Sequence, residues 1–174
     1  RYIIKMENEK PYGMGVFIDI YPYDGLGTTE KEAVTYGMKG DRLSSLCYQS
    51  TREHFAIETT TSLFRKIIKY PIFIGSKLIG KDYFQKKLNQ IVELKEYEDS
   101  NYIGCVVWLS GGKKEIFLRK WFDETIMVPF EKYQFRVPKD YDEVLRHTYG
   151  DYMQLPPEKD RIGHHYFKAY RKDE

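Results

Sequence analysis

The chain has 174 residues, 41% hydrophobic and 16% aromatic, a length that suits one domain with a substantial core and a composition that excludes disorder. Its 28 basic and 26 acidic residues leave a formal charge of +2, too near balance for a nucleic-acid-binding stripe, so nucleic acid is not an expected partner. Cys47 and Cys105 stand in no metal-ligand spacing, no run approaches the roughly 18 apolar residues needed to span a bilayer, and no signal peptide is visible; this excludes a recognisable zinc module and points to free thiols in a reducing, cytoplasmic setting.

In chain order, Tyr2–Met6 reads as a short strand and Asn8–Gly13 as a polar loop. Val16, Phe17, Ile18, Ile20 and Tyr21 form an apolar run that predicts a buried strand, closed by Pro22 and the turn pair Asp24-Gly25. Asp19 interrupts it. A buried carboxylate is costly unless paired, and a divalent cation is one of the few partners able to hold it ionised. The alternative is a solvated or salt-bridged Asp19, and the residues alone leave both open.

Thr29 and Glu32 have capping-box spacing and predict a helix start, which Gly37 and Gly40 are expected to interrupt. Leu63, Phe64, Ile67 and Ile68 recur at helical spacing and read as core-facing, with Pro71 ending that helix and 72–80 a connector. Phe84, Leu88, Ile91 and Leu94 give a further helical stripe over 81–97. Tyr102 to Leu109 predicts a second buried strand, and 113–122 a short helix with Phe117, Trp121 and Phe122 inward. Residues 126–138 read as a hairpin with Pro129 on an edge strand, and 140–147 as a short helix. There are no internal repeats or clear linkers, so one domain over 1–174 is expected.

The last third gathers Tyr141-Asp142, Tyr149-Gly150-Asp151-Tyr152-Met153, Pro156-Pro157, Arg161 and His164-His165. Imidazoles serve as phosphate donors, general acids or metal ligands, and an arginine fork grips a phosphate. Equally, one imidazole belongs to a core and the other to the surface, and Gly150-Asp151 is only a turn.

Phe17 to Gly25, Phe130-Glu131 with Phe135-Arg136-Val137-Pro138 and Tyr141-Asp142, and Tyr149 to Pro157 with His164-His165 together resemble the LicD family, bacterial phosphotransferases related to fukutin-like proteins. The resemblance implies an α+β, nucleotidyltransferase-like fold, a small mixed sheet packed with several helices. It implies transfer of a phospho-alcohol, phosphocholine first, from a CDP-activated donor such as CDP-choline to a sugar of a cell-surface glycan (lipopolysaccharide or teichoic acid), with Mg2+ or Mn2+ as cofactor. By the same resemblance Asp19 is a catalytic residue and metal ligand, His164 and His165 act on the donor phosphate or the attacking hydroxyl, and Arg161 and Asp151 bind substrate. Association with a membrane surface would follow from a lipid-linked acceptor.

Three departures accompany the resemblance. Lys132 replaces the usual glycine after Phe-Glu, and Tyr21 the commoner phenylalanine. The family's N-terminal aspartate motif is absent and the chain starts at Arg1, so this segment is expected to be the C-terminal part of the catalytic domain, inactive alone. A non-catalytic nucleotide- or glycan-binding relative, and a purely structural domain, are the other classes.

Overall fold

The computed structural model describes residues 2–6, 18–55, 62–109, 111–158, 161 and 167–171. The fold is α+β, its strands divided over three small antiparallel sheets. β1 (Tyr2–Met6) pairs with β7 (Phe167–Arg171), joining the two ends of the chain in register from Tyr2 opposite Arg171 to Met6 opposite Phe167. β2 (Asp24–Gly27), β3 (Tyr102–Gly104) and β4 (Phe117–Leu118) form the second sheet in that order. β5 (Thr125–Phe130) and β6 (Tyr133–Pro138) form the expected hairpin, and the positive φ at its turn, 53°, falls on Glu131. Four helices complete the architecture: α1 (Glu30–Thr51), α2 (Leu63–Ile79), α3 (Lys81–Val92) and α4 (Tyr141–Tyr149).

The core lies between α1, α3 and the β2–β3–β4 sheet. Leu26, Ala33, Ile91, Val106, Leu109 and Ile116 form one buried cluster, with Val34, Leu43 and Tyr102 packed around it. Full burial of side chains such as Leu26 and Val106 contributes about 1.5–3 kcal/mol each. α1 starts where its cap predicts: the Thr29 hydroxyl accepts from the Glu32 N–H at 3.3 Å. The return bond of the box shifts by one residue, the Glu32 carboxylate accepting from the Thr28 N–H at 2.9 Å.

Several expectations are corrected. α1 does not break at Gly37 and Gly40, because both lie on its buried face, where Leu109 and Val106 pack onto the bare backbone. α2 runs through Pro71, so 72–80 is helix rather than connector. The carbonyl that loses its helical partner belongs to Ile67, and both Ile67 and Pro71 are exposed, so the break falls on the solvent side of the helix. Leu63, Phe64, Ile67 and Ile68 are exposed rather than core-facing; α2 buries only Phe73 and Ser76.

A further correction concerns 15–25. Residues 15–17 lie outside the described residues, 18–23 have no regular structure, and the strand begins only at Asp24, where the Asp-Gly pair predicts a turn. Ile18 and Ile20 are 90% and 88% exposed. The expected loop at 8–13 also lies outside the described residues. The helix over 81–97 ends at Val92, the strand over 102–109 at Gly104, and 113–122 is two 3-10 turns flanking β4.

Candidate active site

Residues 18–23 lead into β2, and the Tyr23 side chain folds down onto the end of its sheet while Tyr21 stays exposed. Tyr23 stacks on Phe117 of β4 at 5.4 Å between ring centroids and meets Phe122 edge-on at the same distance. Phe117 contacts the His147 ring of α4 at 5.7 Å, and Trp121 contacts it at 5.6 Å. His147 Nε2–H donates to the Lys113 carbonyl at 3.0 Å; a carbonyl only accepts, which fixes this tautomer. The Thr148 hydroxyl donates to the Val144 carbonyl of its own helix at 2.9 Å. An aromatic cluster thus docks α4 against the turn before β4.

Acidic groups gather around this cluster. Burial raises the Tyr23 phenol above its usual range, and Cys105, Glu115 and Tyr149 add to the effect. Tyr21 is raised in the same way, with Asp19, Cys105 and Glu115 contributing after desolvation. The Cys105 thiol is pushed up by burial; the Val107 and Trp108 N–H groups oppose this, and Asp24 and Glu115 reinforce it. Burial likewise raises the Asp24 carboxyl. One Glu115 oxygen is buried and finds no hydrogen-bond partner among the described residues. Asp19, Asp24 and Glu115 thus bring carboxyl groups toward one end of the sheet, where Lys113 and Lys114 of the same 3-10 turn as Glu115 also lie.

The second motif arrives through α4. Gly150, at φ 72°, closes the helix by donating its N–H to the Arg146 carbonyl at 2.8 Å. Asp142 accepts from Arg146 Nε at 2.6 Å and from the Tyr152 hydroxyl at 2.7 Å, tying the turn back onto the helix. Asp151 is exposed on this turn, and its carbonyl accepts from the Gln154 N–H at 3.1 Å. Arg161 is exposed and donates from Nε to the Pro156 carbonyl at 2.7 Å, one of the five N–H donors of its guanidinium. The start of this motif approaches the Asp19–Asp24 segment through Phe117, whose ring touches both Tyr23 and His147 of α4.

Asp19 is exposed on the irregular segment rather than set in a strand, which favours the solvated reading of its environment. His164 and His165 lie outside the described residues. Among the described residues no three His, Cys, Asp or Glu side chains come close enough to hold a metal ion. Sequence reasoning missed Asp24, Cys105 and Glu115. The Asp24-Gly25 pair carries a turn signal that hides its strand, and nothing in the spacing of 105 and 115 announces that β3 and the 3-10 turn at 112–115 bring them together. Elsewhere, a groove of about 500 Å³ beside the start of α1 carries Lys31, Lys39 and Lys95, but Lys95 is paired with Glu32 across it.

No family model and no solved structure matches the chain. Among curated proteins, it is 33% identical over 157 residues to the lipopolysaccharide cholinephosphotransferase LicD of Haemophilus influenzae (strain ATCC 51907 / DSM 11121 / KW20 / Rd). The alignment covers 89% of this chain and 57% of that protein, so the chain spans a little over half its relative's length. This likeness supports the LicD family membership that the order of the sequence motifs implies.

Proposed function

We propose that this chain is the part of a cholinephosphotransferase that carries the Asp19 and Tyr149–His165 motifs, transferring phosphocholine from a CDP-activated donor to a sugar of lipopolysaccharide or a related surface glycan. The observation that carries the reading is the match to a lipopolysaccharide cholinephosphotransferase over nearly the whole chain. The meeting of the Asp19–Asp24 segment with the end of α4 supports it, because separate motifs must converge to make one site.

In the proposed reaction a sugar hydroxyl attacks the phosphorus that bears choline. The bond from that phosphorus to the bridging oxygen breaks, CMP leaves with the electron pair, and the hydroxyl proton passes to His164 or His165. The outward N–H groups of Arg161 pair with donor phosphate oxygens, and Asp151 accepts from a substrate hydroxyl. The exposed rings of Tyr21 and Tyr149 offer faces to the quaternary ammonium of choline. The Asp19 carboxylate has the oxygen chemistry of a magnesium or manganese ligand, but the described residues do not complete a set, so the remaining ligands belong outside them. When bound, such an ion neutralises pyrophosphate charge. The reaction is placed on the cytoplasmic side of the membrane, where CDP-activated alcohols are the donors.

A second reading is a non-catalytic relative that only binds nucleotide or glycan. Release of CMP from CDP-choline in the presence of lipopolysaccharide, measured on the protein at its full natural length, separates the two. The transferase reading predicts turnover that falls at least about a hundredfold in His164→Ala or His165→Ala. Binding without turnover would establish the second reading instead.

A further inference from the structure

α2 faces the wrong way for a helix of a globular core. At about 100° per residue, Phe64, Ile67, Ile68, Pro71, Ile74 and Leu78 fall within one half of its circumference, while the buried Phe73 and Ser76 lie on the other. The apolar half is therefore the one turned to solvent: Phe64 is 71% exposed, Ile67 64% and Leu78 83%. The inner half is held by Phe73, whose ring packs on Phe55 at 5.8 Å and on Tyr70 at 6.4 Å, so the orientation is set by packing.

The charges are equally one-sided. The helix contains Arg65, Lys66, Lys69 and Lys77 and no aspartate or glutamate. Arg65 sits at one margin of the apolar half and Lys77 at the other, with Lys69 beyond Arg65. An apolar stripe of this width, bordered by cations, has the form of a helix that lies in the plane of a bilayer, its stripe among the upper acyl chains and its cations at the phosphates. No described helix is long and apolar enough to cross a membrane.

We infer that α2 is an interfacial anchor that seats this chain on an anionic lipid surface. The bilayer, rather than another protein face, is the occupant because a helix with four basic and no acidic residues complements anionic headgroups, and because the apolar stripe forms a ridge along one helix with open space about Gly75 rather than a pocket. Arg65 stands at the edge of the stripe, Lys66 and Lys69 lie toward the Phe73–Ser76 side, and Lys77 donates to the Arg52 carbonyl over the Phe73 ring. The inference does not rest on the transferase reading, since it concerns no residue of that site.

Flotation of the purified chain with phosphatidylcholine vesicles, with and without 30 mol% phosphatidylglycerol, about the ionic strength of 0.1 M, tests it. The expected result is binding to the anionic vesicles at least about tenfold tighter than to the neutral ones. Ile67→Ser with Leu78→Ser should abolish it, and Arg65→Gln with Lys69→Gln should weaken binding about tenfold or more while leaving the melting temperature unchanged. In Phe64→Trp, a blue-shifted emission quenched by brominated acyl chains would report insertion directly. Equal binding by the Ser variants, no binding to either vesicle, or self-association of the chain that buries α2 and prevents flotation would each overturn the inference.

Discussion

Gly40 of α1 lies so close to Val106 that a β-carbon at position 40 would stand 2.3 Å from the Val106 carbonyl oxygen. That contact is backbone against backbone and has no flexible end to give way. Gly37 repeats it one turn earlier against Leu109, where the obstacle is a side chain at 2.8 Å. The Leu109 N–H also donates to Asp41 at 3.1 Å, so the loop after β3 is clamped along α1.

Gly40→Ala should therefore destabilise the fold by about 1–3 kcal/mol, although alanine is the better helix former by about 1 kcal/mol. Gly75→Ala in α2, where a β-carbon meets nothing within 4 Å, should stabilise by about 1 kcal/mol. Urea unfolding of the two variants checks this; the same sign for both would refute the packing argument.

Glu32 joins the start of α1 to the segment after α3 through its ion pair with Lys95, while its other oxygen caps Thr28. The Lys95 hydrogen bond, followed by the Thr28 N–H, holds its carboxyl below the usual carboxylate range. A lowered folded-state value stabilises the fold above the unfolded carboxyl's pKa, and the contribution is lost as pH falls through the folded value. Glu32→Gln should thus lower the melting temperature at pH 7, with the gap from the parent closing between about pH 4.5 and the more acidic folded value. A gap that persisted at pH 3 would show that the carboxylate charge is not what Glu32 contributes.

The two thiols should differ in reactivity. Cys105 is buried with its thiol pushed up by desolvation, whereas Cys47 is half-buried on α1. Alkylation at pH 8 followed by mass spectrometry should modify Cys47 first, with Cys105 following only on unfolding. Equal rates in the folded chain would contradict the burial of the loop after β3.

Much of the architecture is legible in the sequence because local signals and tertiary packing agree. The Thr29 cap, the 125–138 hairpin and α4 all follow from side chains acting within a few residues. The failures share a cause in longer-range contacts. Gly37 and Gly40 read as breakers because their reward, close approach of Val106 and Leu109, comes from nearly seventy residues away. Ile18 and Ile20 read as core because strand periodicity cannot say whether a partner sheet is present to cover them. Of the candidate site, the family motifs locate Asp19 and the turn around Asp151, but the Asp24–Cys105–Glu115 grouping comes into being only through the β2–β3–β4 pairing.

The central claim, that the Asp19 segment belongs to the site for a CDP-activated donor, is tested most directly by calorimetric titration of the chain with CDP-choline in the presence and absence of magnesium. CDP-ribitol and CMP serve as controls, with Asp19→Asn run in parallel. The account predicts binding that requires magnesium, is tightest for CDP-choline, and weakens at least about tenfold, or about 1.4 kcal/mol, in Asp19→Asn. Binding of equal strength with and without the metal, unchanged by the substitution, would contradict it.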